Sequence, residues 1–286
     1  MKAIRVHECG DPEVMRLEEV PEPEPGPGQV LLKVYAIGVN PVETYFRAGI
    51  YPRRQPFPYT PGTDAAGIVE AVGPGVSRAE PGDRVYTSGS LSGAYAEKTL
   101  CQESQVHPLP ENVSFSQGAG VSVPYAAAYR ALFQRGRALP GEVVLVHGAS
   151  GGVGVAAVQL AAAAGLTIIG TGGTEAGRDL ATVQGAHHIL DHHDPEHYQQ
   201  ALALTGNRGV DLILEMLARE NLGEDLKILA PGGRVVVIGT RGTVTIDPRD
   251  TLPKESSILG MSVMNATDRE LAGIHAALGA GLANGT

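Results

Sequence analysis

The chain has 286 residues, 43% of them hydrophobic, a net charge of −9 and two cysteines, Cys9 and Cys101. That length accommodates two domains with real cores, and no apolar run is long enough to span a membrane. The acidic balance argues against a general nucleic-acid surface, which needs clustered Lys and Arg, and two distant cysteines read as free thiols of a cytoplasmic chain rather than as a disulfide framework.

Met1-Lys-Ala-Ile-Arg-Val leads straight into an alternating strand pattern, which is not the start of a signal peptide. Residues 1 to about 117 read as β-rich, with strands expected at Val30–Tyr35, Ala66–Val72 and Arg84–Tyr86. Pro- and Gly-rich turns divide them, among them Pro21-Glu-Pro-Glu-Pro-Gly-Pro-Gly28 and Val72-Gly-Pro-Gly75. From about residue 118 helix and strand alternate. The apolar run Val144–Val146 ends in His147-Gly-Ala-Ser-Gly-Gly-Val-Gly154, and an Ala-rich helix follows over 151–164. Strands are then predicted at Thr167–Gly170, His188–Leu190, Val210–Leu214, Arg234–Gly239 and Ser257–Val263, with helices near 175–184, 195–204 and 219–229, and a last helix over Asp268–Leu282. This is the rhythm of a Rossmann-type, doubly wound parallel sheet, so the fold class is α/β with a β-rich domain in front.

A strand, a glycine turn and a helix start form a dinucleotide-binding unit: glycine lets the backbone approach a pyrophosphate, and the helix start offers unpaired N–H groups and a positive dipole end. Gly148, Gly152 and Gly154 also fit the glycine spacing of short-chain dehydrogenases. Those enzymes need a Tyr followed four residues later by Lys, and none of the nine Tyr here has one.

Further segments identify a family. They are Gly38-Val-Asn-Pro-Val-Glu-Thr-Tyr45, Pro58-Tyr-Thr-Pro-Gly-Thr-Asp64, Gly82-Asp-Arg-Val85, Pro124-Tyr-Ala-Ala-Ala-Tyr-Arg-Ala-Leu132, Glu215-Met-Leu-Ala218, Gly239-Thr-Arg-Gly242, Ile246-Asp-Pro-Arg-Asp250 and Lys254-Glu-Ser-Ser-Ile-Leu-Gly260. With the glycine turn, the chain resembles the zeta-crystallin-like NADPH:quinone oxidoreductases, the zinc-free branch of the medium-chain dehydrogenase/reductase superfamily. The resemblance implies a GroES-like catalytic domain over 1–117, a Rossmann NADPH-binding domain over 118–264, and residues 265–286 leading back to the first domain, with a tail that looks truncated relative to the family.

Zinc dehydrogenases of this architecture place a Cys near 40–43, Gly-His-Glu near 61–64, and four closely spaced Cys in a structural site. Here the first two places hold Asn-Pro-Val-Glu and Pro-Gly-Thr-Asp, and the four-Cys lobe is absent, so no metal is expected. Without a Lewis acid, reduction of an activated acceptor is the more natural chemistry. The run from His187 to His197 carries five histidines, but its spacing crosses a strand, a turn and a helix start, which reads as a solvated loop rather than a metal site.

The second strand of the sheet ends in Ile169-Gly-Thr-Gly-Gly-Thr174 with no carboxylate at its tip to accept from a ribose 2′-OH, which favours NADPH. Glu175 then reads as an acid in the first turn of a helix. Arg178 is either a second positive charge there or a solvated side chain. The resemblance implies that Ser150, Gly151, Gly152 and Val153 lie along the pyrophosphate and that Gly173 and His192 flank the adenosine phosphate. It places Asn221, Ile238, Gly239, Thr240, Arg241, Met261, Ser262 and Val263 on the ribose and nicotinamide side, with Tyr45 contributed by the other domain. For Asn221, a helix N-cap is an equal reading of the residue alone, and Met261–Val263 alone would be buried strand.

In the acceptor site, negative charge develops on a quinone oxygen, and aimed hydrogen-bond donors lower the barrier. Tyr45, Asn40 and Tyr59 are the candidates, in that order. Each has a plainer reading: Asn40 as a turn residue before Pro41, Tyr59 as turn packing. Glu43 and Asp64 are expected to pair with backbone or an Arg. Two alternatives remain: reduction of α,β-unsaturated carbonyls with the same cofactor, and a non-catalytic crystallin-like role with NADPH or RNA binding, RNA being disfavoured by the acidic charge. Family members are homo-oligomers, dimers or tetramers, and the strand at Ser257–Val263 is a candidate pairing edge.

Overall fold

The alternating pattern at the start of the chain folds as a hairpin in which β1 (Lys2–Val6) pairs antiparallel with β2 (Met15–Glu19). The computed structural model describes residues 1–52 and 55–285, and these divide into two units, Met1–Val123 with His275–Gly285, and Pro124–Ile274.

In the first unit β3 (Gln29–Ile37), α1 (Pro41–Ala48), β4 (Ala65–Val72), β5 (Arg84–Thr87), β6 (Lys98–Gln102), β7 (Val106–Pro108) and α2 (Phe115–Ala119) follow the hairpin. The strands form a five-stranded antiparallel sheet in the order β6-β3-β4-β5-β7. Val30, Leu32, Val69, Val85 and Cys101 build its core from alternate positions, as a sheet with one buried face requires. Cys101 is therefore buried, Cys9 is exposed, and both thiols are free. The strand-only reading of this half overlooked α1. Pro41 occupies its first turn, where the missing N–H costs nothing; Glu43 reaches back to accept from Asn40 N at 3.1 Å, and Gly49 ends the helix with φ +72°.

α3 (Ser122–Tyr129), whose residues from Pro124 belong to the second unit, continues as a π-helical stretch over Arg130–Arg135. Then come β8 (Val143–Val146), α4 (Gly152–Ala163), β9 (Thr167–Gly172), α5 (Glu175–Val183), β10 (His188–Asp191), α6 (His197–Leu204), β11 (Val210–Glu215), α7 (Ala218–Ile228), β12 (Leu229–Val237), β13 (Ser257–Gly260) and α8 (Asp268–Asn284). The six strands are parallel in the order β10-β9-β8-β11-β12-β13. Strand residues alternate between two cores: Val144, Val146, Leu212 and Leu214 pack with Ala156, Ala157 and Ala161 of α4, whereas Leu145, Ile213 and Val235 pack with Leu222 and Leu226 of α7. Both faces are covered, which is why these strands read as continuous apolar runs. The sixth strand is shorter than the sequence pattern implies. Its ladder with β12 ends at Gly260, and Val263 already starts a 3-10 turn.

The residues of α8 up to Ile274 group with the second unit and those from His275 with the first. His275 stacks on His107 at 3.9 Å between ring centroids and meets the Tyr86 hydroxyl through Nδ1 at 3.2 Å.

Candidate functional site

Because all six strands run the same way, the loops after β8, β9, β10, β11, β12 and β13 leave from one edge of the sheet. The structure thereby brings to that carboxyl edge Ser150–Val153, Gly173, His192, Asn221, Ile238–Arg241 and Met261–Val263. Tyr45, Asn40 and Tyr59 belong to the first unit.

The turn between β8 and α4 is built by its neighbours' need for space. Gly148 has φ +60°, and its N–H donates to Thr171 Oγ1 at 3.1 Å, while Ala149 N donates to Thr171 O at 2.8 Å. A Cβ on Gly154 would lie 2.2 Å from Gly148 O and 2.7 Å from Ala149 Cα, so only glycine lets α4 start this close to the turn. Gly151 is the N-cap and has no side chain to satisfy the first N–H groups of α4, which are left for a ligand. Around Gly151 and Gly152 the space is open: a Cβ there would meet nothing nearer than 3.4 and 3.5 Å.

The tip of β9 carries Gly172 and Gly173, and Thr174 caps α5 by accepting from Gly177 N at 3.1 Å. Glu175 stands in the first turn of α5. Arg178 is half-buried and anchored: its Nη1 donates to Asp191 Oδ2 at 2.8 Å and to Gly172 O at 3.2 Å. Hydrogen bonding from His193 N, and the charge of Arg178, hold the Asp191 carboxyl below the usual range. The histidine run is likewise anchored rather than loose. His187 Nδ1 accepts from Ile168 N, His197 Nδ1 lies 2.7 Å from Asp194 O, and His192 and His193 pack edge to face at 4.5 Å.

Asn221 is not a helix N-cap. It lies inside α7, whose N-cap is Leu217, and its amide donates to Glu215 Oε1 at 3.2 Å. The same oxygen accepts from Leu217 N. Behind it, His147 Nε2 lies 2.8 Å from Asp225 Oδ1 and 3.5 Å from Glu215 Oε2, all three residues being buried. Burial pushes both carboxyls up and the imidazole down, so the cluster holds a proton near neutral pH. Sequence reasoning missed this cluster. The available signal was a His and a Glu each placed at the carboxyl end of an apolar strand, where an ionisable group would otherwise be an oddity.

On the far side of the edge, Thr240 Oγ1 donates to Gly242 O, and Gly239 is required because a Cβ would meet Met216 O at 2.5 Å. Arg241 is exposed and its carbonyl accepts from Arg219. Met261–Val263 are half-buried and continue from β13, with Met261 N donating to Val237 O.

In the first unit the regions that carry metal ligands in zinc dehydrogenases are filled by an interlocked polar cluster. Glu43 accepts from Asn40 N, Thr63 N and the Tyr95 hydroxyl, the last at 2.5 Å. Asp64 accepts from Asn40 Nδ2 at 3.0 Å and Val123 N at 2.9 Å, and burial raises its carboxyl to about 6. Among the described residues the partners are backbone N–H groups, an amide and hydroxyls, the backbone pairing being one of the two expected. These oxygens are occupied by N–H and O–H donors, and no sulfur or imidazole joins them, so the donor set does not fit zinc. Asn40 itself is 5% exposed with its amide engaged by Asp64. Tyr45 lies half-buried on α1, and the Tyr59 hydroxyl is buried with no protein partner among the described residues.

Two family models match the chain: an alcohol dehydrogenase GroES-like domain over residues 26–111 and a zinc-binding dehydrogenase over residues 152–277. Quinone oxidoreductases of Rattus norvegicus and Homo sapiens are each 50% identical, over 100% and 99% of this chain and 87% and 86% of their own length. The crystal structure of an Escherichia coli quinone oxidoreductase complexed with NADPH superposes with a TM-score of 0.89 at 30% identity, covering 100% of this chain and 89% of that one. The chain belongs to the quinone oxidoreductase family of the medium-chain dehydrogenase/reductase superfamily.

Proposed function

We propose that this chain is an NADPH-dependent oxidoreductase that reduces quinones without a metal. The observation that carries the nucleotide half is the carboxyl edge of the parallel sheet. A glycine-rich turn with a glycine N-cap and unpaired helix N–H groups follows β8, and β9 itself ends without a carboxylate, the neighbouring Asp191 being paired with Arg178. Ser150, Gly151, Gly152 and Val153 would hold the pyrophosphate, Gly173 and His192 the adenosine end, and Asn221, Ile238–Arg241 and Met261–Val263 the nicotinamide end. Asn221 is preset for this by Glu215. When bound, NADPH supplies the reducing equivalents. Tyr45 and Tyr59 would donate to the acceptor oxygen as it gains charge. The Tyr59 hydroxyl is already desolvated and free of protein partners among the described residues, whereas Asn40, committed to Asp64, orients the segment around them. Reduced quinone takes its protons from water, so a strong general acid is not needed.

No helix among the described residues is long and apolar enough to cross a membrane. A cytoplasmic site of action and a homo-oligomer paired along β13, the edge strand of its sheet, complete the reading. The test is an acceptor profile with NADPH: ortho-quinones turned over far faster than α,β-unsaturated ketones support it, and the reverse order replaces quinone reduction by enone reduction.

A further inference from the structure

The buried cluster behind Asn221 leaves two oxygens unaccounted for. Glu215, at the end of β11, and Asp225, inside α7, are both fully buried, and their carboxyl groups stand within hydrogen-bonding reach of each other. With His147 they form a group whose facing atoms lie within 4.8 Å of one another. Glu215 Oε1 accepts from Leu217 N and from the Asn221 amide. His147 Nε2 lies 2.8 Å from Asp225 Oδ1 and 3.5 Å from Glu215 Oε2, so its single N–H goes to Asp225. Glu215 Oε2 and Asp225 Oδ2 remain, both buried and without a donor among the described residues.

The surroundings do not supply the missing donor. Among the described residues no Lys or Arg pairs with either carboxyl. Tyr198 on α6 stands edge-on to His147 at 6.2 Å between ring centroids, with its hydroxyl unpartnered among the described residues and kept neutral by burial. His197 stacks on the Tyr198 ring at 4.0 Å, and Glu224 on α7 is paired with Lys227. Two buried carboxylates side by side repel, and each bare oxygen lacks a hydrogen bond. One hydrogen held between them removes both faults.

We propose that Glu215 Oε2 and Asp225 Oδ2 share one hydrogen, and that Asp225 and His147 are thereby positioning residues. They hold Glu215 so that its other oxygen keeps Leu217 N and the Asn221 amide in place at the start of α7. Only the last link, from Asn221 to the nucleotide, rests on the function proposed above. Burial pushes both carboxyls up and the His147 imidazole down, which is the direction this arrangement requires. The unfolded chain releases both carboxyl protons near pH ~4, whereas the folded chain keeps one. The pair's contribution to stability is therefore full below that pH and is lost as pH rises toward the ionisation of the folded pair, by up to about tenfold in the unfolding constant per pH unit.

Asp225→Asn imitates the shared hydrogen permanently: the amide oxygen still accepts from His147, and the amide nitrogen donates to Glu215 Oε2. Glu215→Gln imitates it from the other side. Urea unfolding of the three chains between pH ~5.5 and ~8 reads the proton. The unfolding constant of the original chain, divided by that of Asp225→Asn, should rise at least about tenfold over this range. The double variant, with two amide N–H₂ groups facing each other, should unfold at least about tenfold more readily than either single variant. A ratio that stays constant with pH, or a double variant as stable as the weaker single one, overturns the shared hydrogen. Calorimetric titration with NADP⁺ reads the positioning: affinity should fall with rising pH in the original chain and hold in Asp225→Asn. Parallel pH profiles in the two chains overturn the positioning role. Failure of both to bind NADP⁺ at any pH overturns the nucleotide site instead, and the unfolding ratio still decides the shared hydrogen.

Discussion

Three glycine-to-alanine substitutions in helices of the second unit separate the close approach at the glycine turn from ordinary helix propensity. At Gly223, inside α7, an added Cβ would meet nothing within 4 Å, so Gly223→Ala should stabilise by about 0.5–1 kcal/mol. At Gly154 the same methyl would sit 2.2 Å from Gly148 O and 2.7 Å from Ala149 Cα, roughly 1 Å inside ordinary contact, with backbone atoms that no rotamer change can move. Overpacking of this kind costs about 1–3 kcal/mol, and the helix-propensity gain is common to both sites, so Gly154→Ala should fall about 1–3 kcal/mol below Gly223→Ala. The α4 start must move away from the turn, and NADPH affinity should drop at least about tenfold. Gly152→Ala is the third case. Its Cβ has 3.5 Å of clearance from the protein, so stability should hold while the methyl occupies the path of the pyrophosphate and NADPH binding weakens. Urea unfolding and fluorescence titration read the two quantities. Gly154→Ala as stable as Gly223→Ala would refute the close-approach argument, and Gly152→Ala binding NADPH normally would refute the placement of the pyrophosphate.

Glu215→Ala would leave Leu217 N and the Asn221 amide without their acceptor and should cost about 2–4 kcal/mol in urea unfolding, with Glu215→Gln recovering part of it; an alanine variant within about 0.5 kcal/mol of the original would contradict the role given to the buried carboxylate. The His107–His275 stack gives a pH dependence. Burial depresses these imidazoles to about 3 and about 4, so the unfolded chain binds protons below its ordinary pKa of ~6.5 while the folded chain does not, and the stack's contribution is lost as pH falls from ~6.5 toward ~4. The stability gap between the original chain and His275→Gln should therefore narrow by about 1 kcal/mol between pH ~6.5 and ~5, and a gap that stays constant would show that His275 titrates normally in the folded chain. Arg234 bridges Glu142 through both terminal nitrogens and donates to Gly136 O and Asp211 O, so Arg234→Met should destabilise by about 2–4 kcal/mol with little change in NADPH affinity, because the bridge lies away from the carboxyl edge.

The parallel sheet was legible because period and punctuation agree. Apolar runs such as Val143–Val146 and Val210–Glu215 are buried on both faces and are followed by helices with clear starts. The glycine turn was legible because its residues carry the constraint themselves: at Gly148 and Gly154 no other residue fits the backbone conformation or the space. The first unit was read less well. Its short helix α1 depends on Asn40 and Glu43, whose partners Asp64, Thr63 and Tyr95 lie far away in the chain, and such pairings leave no local pattern. The same holds for the buried His147–Asp225–Glu215 cluster, which unites residues from three elements. His193 was weighed only as one of five histidines in a run read as a solvated loop, because nothing local in the sequence shows that the fold sets its ring beside Gly173.

The most direct test follows the oxidation of NADPH by an ortho-quinone, with NADH in parallel at neutral pH. The account predicts rapid turnover with NADPH and at least about tenfold lower kcat/KM with NADH, without added metal and undiminished by a chelator. Equal use of the two nucleotides would contradict the reading of the β9 tip, and no turnover with either would contradict the proposed quinone reductase activity while leaving the parallel dinucleotide-type sheet in place.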